Sequence, residues 1–275
     1  MSTPRVVSLL IDEDRRAVAA TARQRGAISR AAVRAARALE AGGSVVFLGA
    51  GTSGRMGVLE AAECPPTFGL DPSRVRAVMA GGEGAAFRAV EGAEDDEASG
   101  RREGSALRPL DLLVGISASS VTPFVRGALA AARQNGVETV LVTCAPGPGR
   151  RRLADIVIAI PTGPEVLTGS TRLKAGSATK AALNAITTAA MVRLGKAYDN
   201  LMVDMRPTNA KLRDRAARIV AAAAGVERPE AERLLSLAGD EVKTAIVMGR
   251  LGVPADAARA RLVTARGHVR RALRG

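Results

Sequence analysis

A single histidine, His268, and two cysteines, Cys64 and Cys144, leave this chain of 275 residues with almost no metal-ligating material. A His-rich metal centre is excluded, and so is a disulfide framework, which needs more cysteines at regular spacing. No metal and no cofactor are therefore expected. Aromatic residues are nearly absent, with four Phe, one Tyr and no Trp, which removes the stacking platforms that single-stranded nucleic acids use. No apolar run approaches the roughly 20 residues a membrane helix requires. Residues 1–7 also lack the basic-then-apolar pattern of a leader. The expectation is a cytoplasmic protein without a membrane partner.

What is present is a large supply of small apolar residues within a hydrophobic fraction of 47%. That is ample for a core, and small side chains suit close packing of helices on a sheet. The formal net charge is +13. Clustered arginines would favour a phosphate backbone, but here they are scattered among alanines at helical spacing. A solvated basic surface is the better reading, one that steers an anionic small molecule inward. No nucleic-acid partner is expected.

Two alanine-rich amphipathic helices are predicted at 6–23 and 27–41, the second stopped by Gly42-Gly43. Strand-length apolar runs follow at 44–48, 75–80, 111–116, 138–143 and 155–160, alternating with helical stretches that include 123–135 and 172–194. Strands apolar throughout and separated by helices argue for a parallel sheet covered on both faces. The fold class is thus α/β, a doubly wound sheet with flavodoxin-like strand order. Beyond residue 206 the strand signal disappears and helices recur, interrupted near 225–229 and 252–254. The division expected is a sheet domain over 1–206, with its N-terminal helices, and a small helical subdomain over 207–275.

Two loops are suited to a phosphate. The first strand runs into Gly49-Ala50-Gly51-Thr52-Ser53-Gly54, where glycines permit close backbone approach and a helix N-terminus follows. The spacing also fits a dinucleotide-binding turn, yet no acidic residue ends a second strand about 20 residues later. Gly51, Thr52 and Ser53 are better matched to a phosphomonoester. The third strand ends in Ser117-Ala118-Ser119-Ser120-Val121-Thr122-Pro123, four hydroxyls before a helix that starts at proline. Hydroxyl-rich loops at the carboxyl ends of two strands mark the edge where ligands of open α/β sheets bind. Glu63 stands late in the first of these helices, before Pro65-Pro66, where the chain is expected to turn. A second acidic group is Glu91, Glu94, Asp95, Asp96 and Glu97. Catalysis and plain surface or capping roles both remain open for these carboxylates.

The segments Gly49 to Gly57 and Glu63-Cys64-Pro65-Pro66-Thr67-Phe68-Gly69 together resemble the signature of N-acetylmuramic acid 6-phosphate etherases. So do Ala89-Val90-Glu91-Gly92-Ala93-Glu94-Asp95 and the run from Gly163-Pro164-Glu165 to Leu173-Lys174-Ala175-Gly176. Asn200 to Asp204 and Lys243 to Met248 fit as well. The resemblance implies a sugar isomerase (SIS) domain with a helical C-terminal part, a homodimer, and two catalytic glutamates, Glu63 and Glu94. It further implies a sugar phosphate held by Gly51, Thr52, Ser53, Ser117, Ser119, Ser120 and Thr122, with Arg172 and Lys174 completing the anion site. Glu63 is assigned to the lactate oxygen and the water, Glu94 to the C2 proton of the sugar.

There are departures. The family usually reads S-G-R-T-P where this chain has Ser119-Ser120-Val121-Thr122-Pro123, and commonly Ser at Ala62; its N-terminal arm is usually longer than residues 1–9. A regulator resembling glucokinase regulatory protein, sensing sugar phosphates without turnover, is the alternative. A sugar phosphate isomerase would want a histidine, and His268 is the only one.

Overall fold

The computed structural model describes every residue except 146, 148, 150, 151, 206 and 275. Contacts within the chain divide it into two compact units, residues 1–62 with 71–189, and residues 63–70 with 190–275.

The first unit opens with α1 (Thr3–Ala22) and α2 (Arg25–Glu40), then alternates β1 (Val45–Gly49), α3 (Gly51–Phe68), β2 (Val75–Met79), α4 (Glu97–Ser105), β3 (Leu112–Ile116), α5 (Pro123–Gln134), β4 (Glu138–Thr143), β5 (Ile156–Ala159) and α6 (Lys174–Arg193). The five strands form one sheet in the order β2-β1-β3-β4-β5, every neighbouring pair parallel. This is the flavodoxin-like order expected. The chain winds one way from β1 to β2 and the other way from β3 to β5. The point of reversal lies between β1 and β3, where Gly49 is in register with Ile116.

Burial on both faces explains why the strands are apolar throughout. Val46, Leu48, Leu113 and Leu141 pack with Phe124, Val125 and Leu129 of α5 on one face. The other face carries Phe47, fully buried, and there α3 comes so close that a Cβ on Gly57 would sit 2.8 Å from that of Phe47. Each large side chain buried in this way contributes on the order of 1.5–3 kcal/mol. Asp111 ties the sheet's lower edge: its carboxylate accepts from the Ser44 amide (2.8 Å), the Ser44 hydroxyl (2.9 Å) and the Arg108 amide (2.9 Å).

Helix α4 lies on α5 with its backbone almost touching. A Cβ on Gly100 would be 2.0 Å from the Phe124 carbonyl oxygen, and one on Gly104 2.2 Å from that of Ala128. From the opposite side, a Cβ on Gly127 would be 2.5 Å from the Glu97 carbonyl oxygen.

One sequence expectation is corrected. The chain does not turn at Pro65-Pro66, because α3 continues through both prolines to Phe68. Each proline forfeits one helical N–H, but Cys64 and Phe68, one turn apart, are both buried, and that burial offsets the loss.

In the second unit a short antiparallel hairpin, β6 (Ala197–Tyr198) with β7 (Leu201–Met202), leads to helices α7 (Ala210–Ala224), α8 (Arg228–Leu237), α9 (Val242–Leu251), α10 (Ala255–Thr264) and α11 (Val269–Ala272). Left-handed glycines end α7 at Gly225 and α9 at Gly252, the interruptions anticipated from sequence. Val220, Leu234, Ile246, Val247 and Leu262 form the core of this helical unit. Among the described residues no helix is long and apolar enough to cross a membrane.

Candidate functional site

The turn from β1 to α3 is built by glycine. Gly51 takes a left-handed φ of +53°, and a Cβ on Gly54 would sit 2.6 Å from the Gly49 carbonyl oxygen. Strand end and helix start are thereby held together, and Thr52 and Ser53 fall in the first turn of α3, both half-buried. The unpaired N–H groups of that turn favour an anion.

One strand over, the loop from β3 to α5 folds back on itself. The Ser117 hydroxyl is buried and lies 2.9 Å from that of Thr122. The Ser120 hydroxyl donates to the Ser119 carbonyl (2.6 Å), and the Val121 amide donates to Ser119 Oγ (3.3 Å). Of the four hydroxyls, Ser119 is on an exposed residue, whereas Ser120 is buried and turned into its own loop. Ser120 is also one of the described non-glycine residues with positive φ, at +61°. Ala118 anchors the loop from beneath by accepting from the Cys144 amide at 3.0 Å and the Thr143 hydroxyl at 3.1 Å.

The start of α6 closes on the first loop, since a Cβ on Gly176 would lie 3.8 Å from the Thr52 methyl. Glu165, on the strap before α6, accepts the Ala175 amide at 3.0 Å. Lys174 is buried and paired with Glu13 of α1. That pairing, followed by the Arg16 hydrogen bond, holds the Glu13 carboxyl below its ordinary range. Arg172 is exposed. Behind the loops, burial raises the Cys144 thiol above its ordinary value, and the charge of Glu165 adds to the effect. It stays a protonated thiol, 3.6 Å from the Ala175 carbonyl.

Glu94 is exposed on a single turn, Ala93–Asp95, just before α4. Asp96 caps α4 by accepting the Ser99 amide at 2.8 Å. The turn packs on α5, and the close α4–α5 contact fixes both relative to the β3 loop at the head of α5. Beside it opens a cavity of about 760 Å³, lined by Val58, Ala61, Met79, Phe87, Ala93 and Asp96 among others. Sequence reasoning missed Arg55. From α3 its guanidinium donates to the carbonyls of Ala85 and Ala86, each at 2.9 Å, pinning the segment that leads to Glu94. Arg55 lies within the Gly49 to Gly57 segment that carries the family resemblance, but nothing in the spacing tells where its guanidinium ends.

Thr52, Ser53, Ser117, Ser119, Ser120, Thr122, Arg172, Lys174 and Glu94 all belong to the first unit. Glu63 belongs to the second, exposed on the last turns of α3. In that unit Asp204 takes both Lys196 (2.7 Å) and Lys243 (2.8 Å) on one oxygen. Burial lowers the Lys243 ammonium against the opposing pull of Asp204. His268 stands at the start of α11, its ring packed on Gly195. No group of three potential metal ligands occurs among the described residues.

Comparison with known proteins places this architecture. An N-acetylmuramic acid 6-phosphate etherase of Salmonella agona is 50% identical over 275 residues, covering 99% of this chain and 93% of that protein. One from Serratia proteamaculans is likewise 50% identical, with the same coverage. The chain belongs to the N-acetylmuramic acid 6-phosphate etherase family. A model of the glucokinase regulatory protein N-terminal SIS domain matches residues 27–133, which contain both hydroxyl loops and Glu94. Among solved structures, the sugar isomerase domain of an RpiR transcription factor from Sphaerobacter thermophilus is 21% identical with a TM-score of 0.51, covering 69% of this chain and 91% of that one. Vibrio vulnificus NanR, solved with ManNAc-6P, is 16% identical with a TM-score of 0.50, covering 80% of this chain and 69% of that one. These two show the SIS fold.

Within the etherase family the two departures at the β3 loop have a structural reading. Position 120, where the resemblance expects glycine, is a serine with a left-handed backbone, a conformation that favours glycine. Position 121, where arginine is expected, presents an exposed valine. The loop thus carries an apolar side chain where the resemblance expects a cation.

Proposed function

We propose that this protein cleaves the D-lactyl ether of N-acetylmuramic acid 6-phosphate, yielding N-acetylglucosamine 6-phosphate and D-lactate. The observation that carries the reading is identity of about half over nearly the full length to enzymes of that name. The two hydroxyl-bearing loops at adjacent strand ends support it.

In this reading the phosphate rests on the α3 N-terminus with Gly51, Thr52 and Ser53, and on Ser117, Ser119 and Thr122 of the β3 loop, which Ser120 shapes by bonding back to the Ser119 carbonyl. Arg172 adds positive charge, and Lys174, neutralised by its pair with Glu13, holds the start of α6 beside the first loop. Ring opening exposes a C1 aldehyde, which acidifies the C2 proton. Glu94 removes that proton while Glu63, as the acid, protonates the lactate oxygen and the C3–O bond breaks. The product of this elimination is an unsaturated aldehyde. Glu63, now a carboxylate, takes a proton from water as its oxygen adds at C3, and C2 regains its proton. Two carboxylates of opposite protonation state are sufficient for both steps. The protein works in the cytoplasm as a homodimer.

The test is lactate release from N-acetylmuramic acid 6-phosphate by the purified protein, beside Glu63→Ala and Glu94→Ala. Each substitution is expected to lower the rate by roughly 10²- to 10⁴-fold. A second reading, a sugar-phosphate-sensing regulator without turnover, draws on the regulatory-protein SIS match. Wild-type protein that binds the sugar phosphate and releases no lactate would establish that alternative and end the etherase reading.

A further inference from the structure

Glu165 has a feature that its capping role does not explain. One carboxylate oxygen, Oε1, accepts the Ala175 amide at the start of α6. The other, Oε2, is buried and has no hydrogen-bond partner among the described residues. A buried carboxylate oxygen without a donor is costly and rare in native proteins. The Cys144 thiol does not supply the missing donor, since it faces the Ala175 carbonyl and the Thr179 hydroxyl.

The surroundings point toward a ligand. Glu165 stands at the helix end that lies against Thr52, and its charge acts on Cys144, whose amide holds the β3 loop through Ala118. The helix end that Glu165 caps thus neighbours the first hydroxyl loop and is linked to the second through Cys144, whose thiol lies 3.6 Å from the Ala175 carbonyl. The strap that bears Glu165 runs between two left-handed glycines. Gly163 (φ +70°) and Gly169 (φ +86°) bound it, with open space around both. Gly169 and the intervening Val166, Leu167 and Thr168 are exposed.

We infer that Glu165 is a substrate-positioning residue, keeping Oε1 on the α6 N-terminus while the strap presents Oε2 to a hydroxyl or amide donor of the bound sugar. The inference rests on the sugar phosphate reading above and adds a contact to the sugar ring rather than to the phosphate. A carboxylate here distinguishes a donor-rich sugar phosphate from bare phosphate, which at neutral pH offers Oε2 mainly negative charge.

Calorimetric titration of the whole protein separates this from a cap. Wild type and Glu165→Gln are each titrated with N-acetylglucosamine 6-phosphate and, separately, with inorganic phosphate. Glutamine keeps an acceptor for the Ala175 amide and removes the charge. The expected result is a sugar phosphate affinity weakened roughly 10-fold or more, with phosphate affinity unchanged. Equal weakening of both ligands would make Glu165 a cap only and overturn the inference. No change in either, or a wild type that does not bind the sugar phosphate, would overturn it too. If Glu165→Gln fails to fold by thermal melt, Glu165→Asp, a shorter carboxylate, is read by the same split. Lactate release by wild type is scored independently, so that a failure of the etherase reading is visible by itself.

Discussion

Gly104→Ala reverses an ordinary rule. In an exposed helix interior, replacing glycine by alanine stabilises by about 1 kcal/mol, because glycine loses more backbone freedom on folding. In α4 the new Cβ would meet the Ala128 carbonyl oxygen at 2.2 Å, where ordinary contact begins at 3.4 Å. The obstacle is backbone of α5, so no side chain can swing aside; α4 must move away by roughly 1 Å or more. Overpacking of this kind costs typically 1–3 kcal/mol, which outweighs the propensity gain and leaves a net loss of up to about 2 kcal/mol. Gly26→Ala in α2 is the control, since its new Cβ would meet only the tip of Arg30 at 3.9 Å; it should be neutral or slightly stabilising. Urea melts of the two variants are the assay. Because α4 follows the Glu94 turn, Gly104→Ala should also slow lactate release in protein that is still folded. A Gly104→Ala protein as stable as wild type, at full activity, would refute the claim that the α4–α5 contact sets this geometry.

Two further perturbations test the frame around the site. Asp111 is buried, which by itself would raise its pKa, but donors on Arg108 and Ser44 outweigh burial and hold the carboxyl below its ordinary range. Its stabilisation is therefore present above the unfolded value of about 3.9 and is lost as pH falls through the lower folded value. The urea midpoints of wild type and Asp111→Asn should be well apart at pH 6 and converge below about pH 4; a gap constant with pH would contradict the assignment. Ser120→Gly removes a side chain from a φ of +61° and should stabilise by up to about 1 kcal/mol, less what the Ser119 carbonyl bond contributes. A destabilised variant would mean that this hydrogen bond outweighs the strain.

The sheet was legible because its chemistry is unambiguous. Runs such as Leu112 to Ile116, apolar at every position, are stable only between two covering layers, and helices alternate with them, which leaves a parallel arrangement. The helix through Pro65-Pro66 was not legible, because local propensity says stop and only tertiary burial of Cys64 and Phe68 says continue. The pairing of Lys174 with Glu13 was hidden for a related reason. The two stand 161 positions apart, and no local pattern couples them.

Residues proposed to bind through short-range geometry, such as Thr52 and Ser53 after the glycines, announce themselves by spacing, because a turn of fixed shape needs fixed residues. Residues that work by holding other segments carry no such spacing. Arg55 differs in sequence from any surface arginine in nothing except where its guanidinium ends, on the carbonyls of Ala85 and Ala86. Glu165 reads as one acid in a proline- and glycine-rich strap until one of its oxygens proves buried and without a partner among the described residues. Both act between elements, Arg55 from α3 to the segment before Glu94, Glu165 from the strap to α6. Their effects on turnover should accordingly appear as misplacement of neighbouring groups, with the fold intact, rather than as loss of the carboxylates proposed to react.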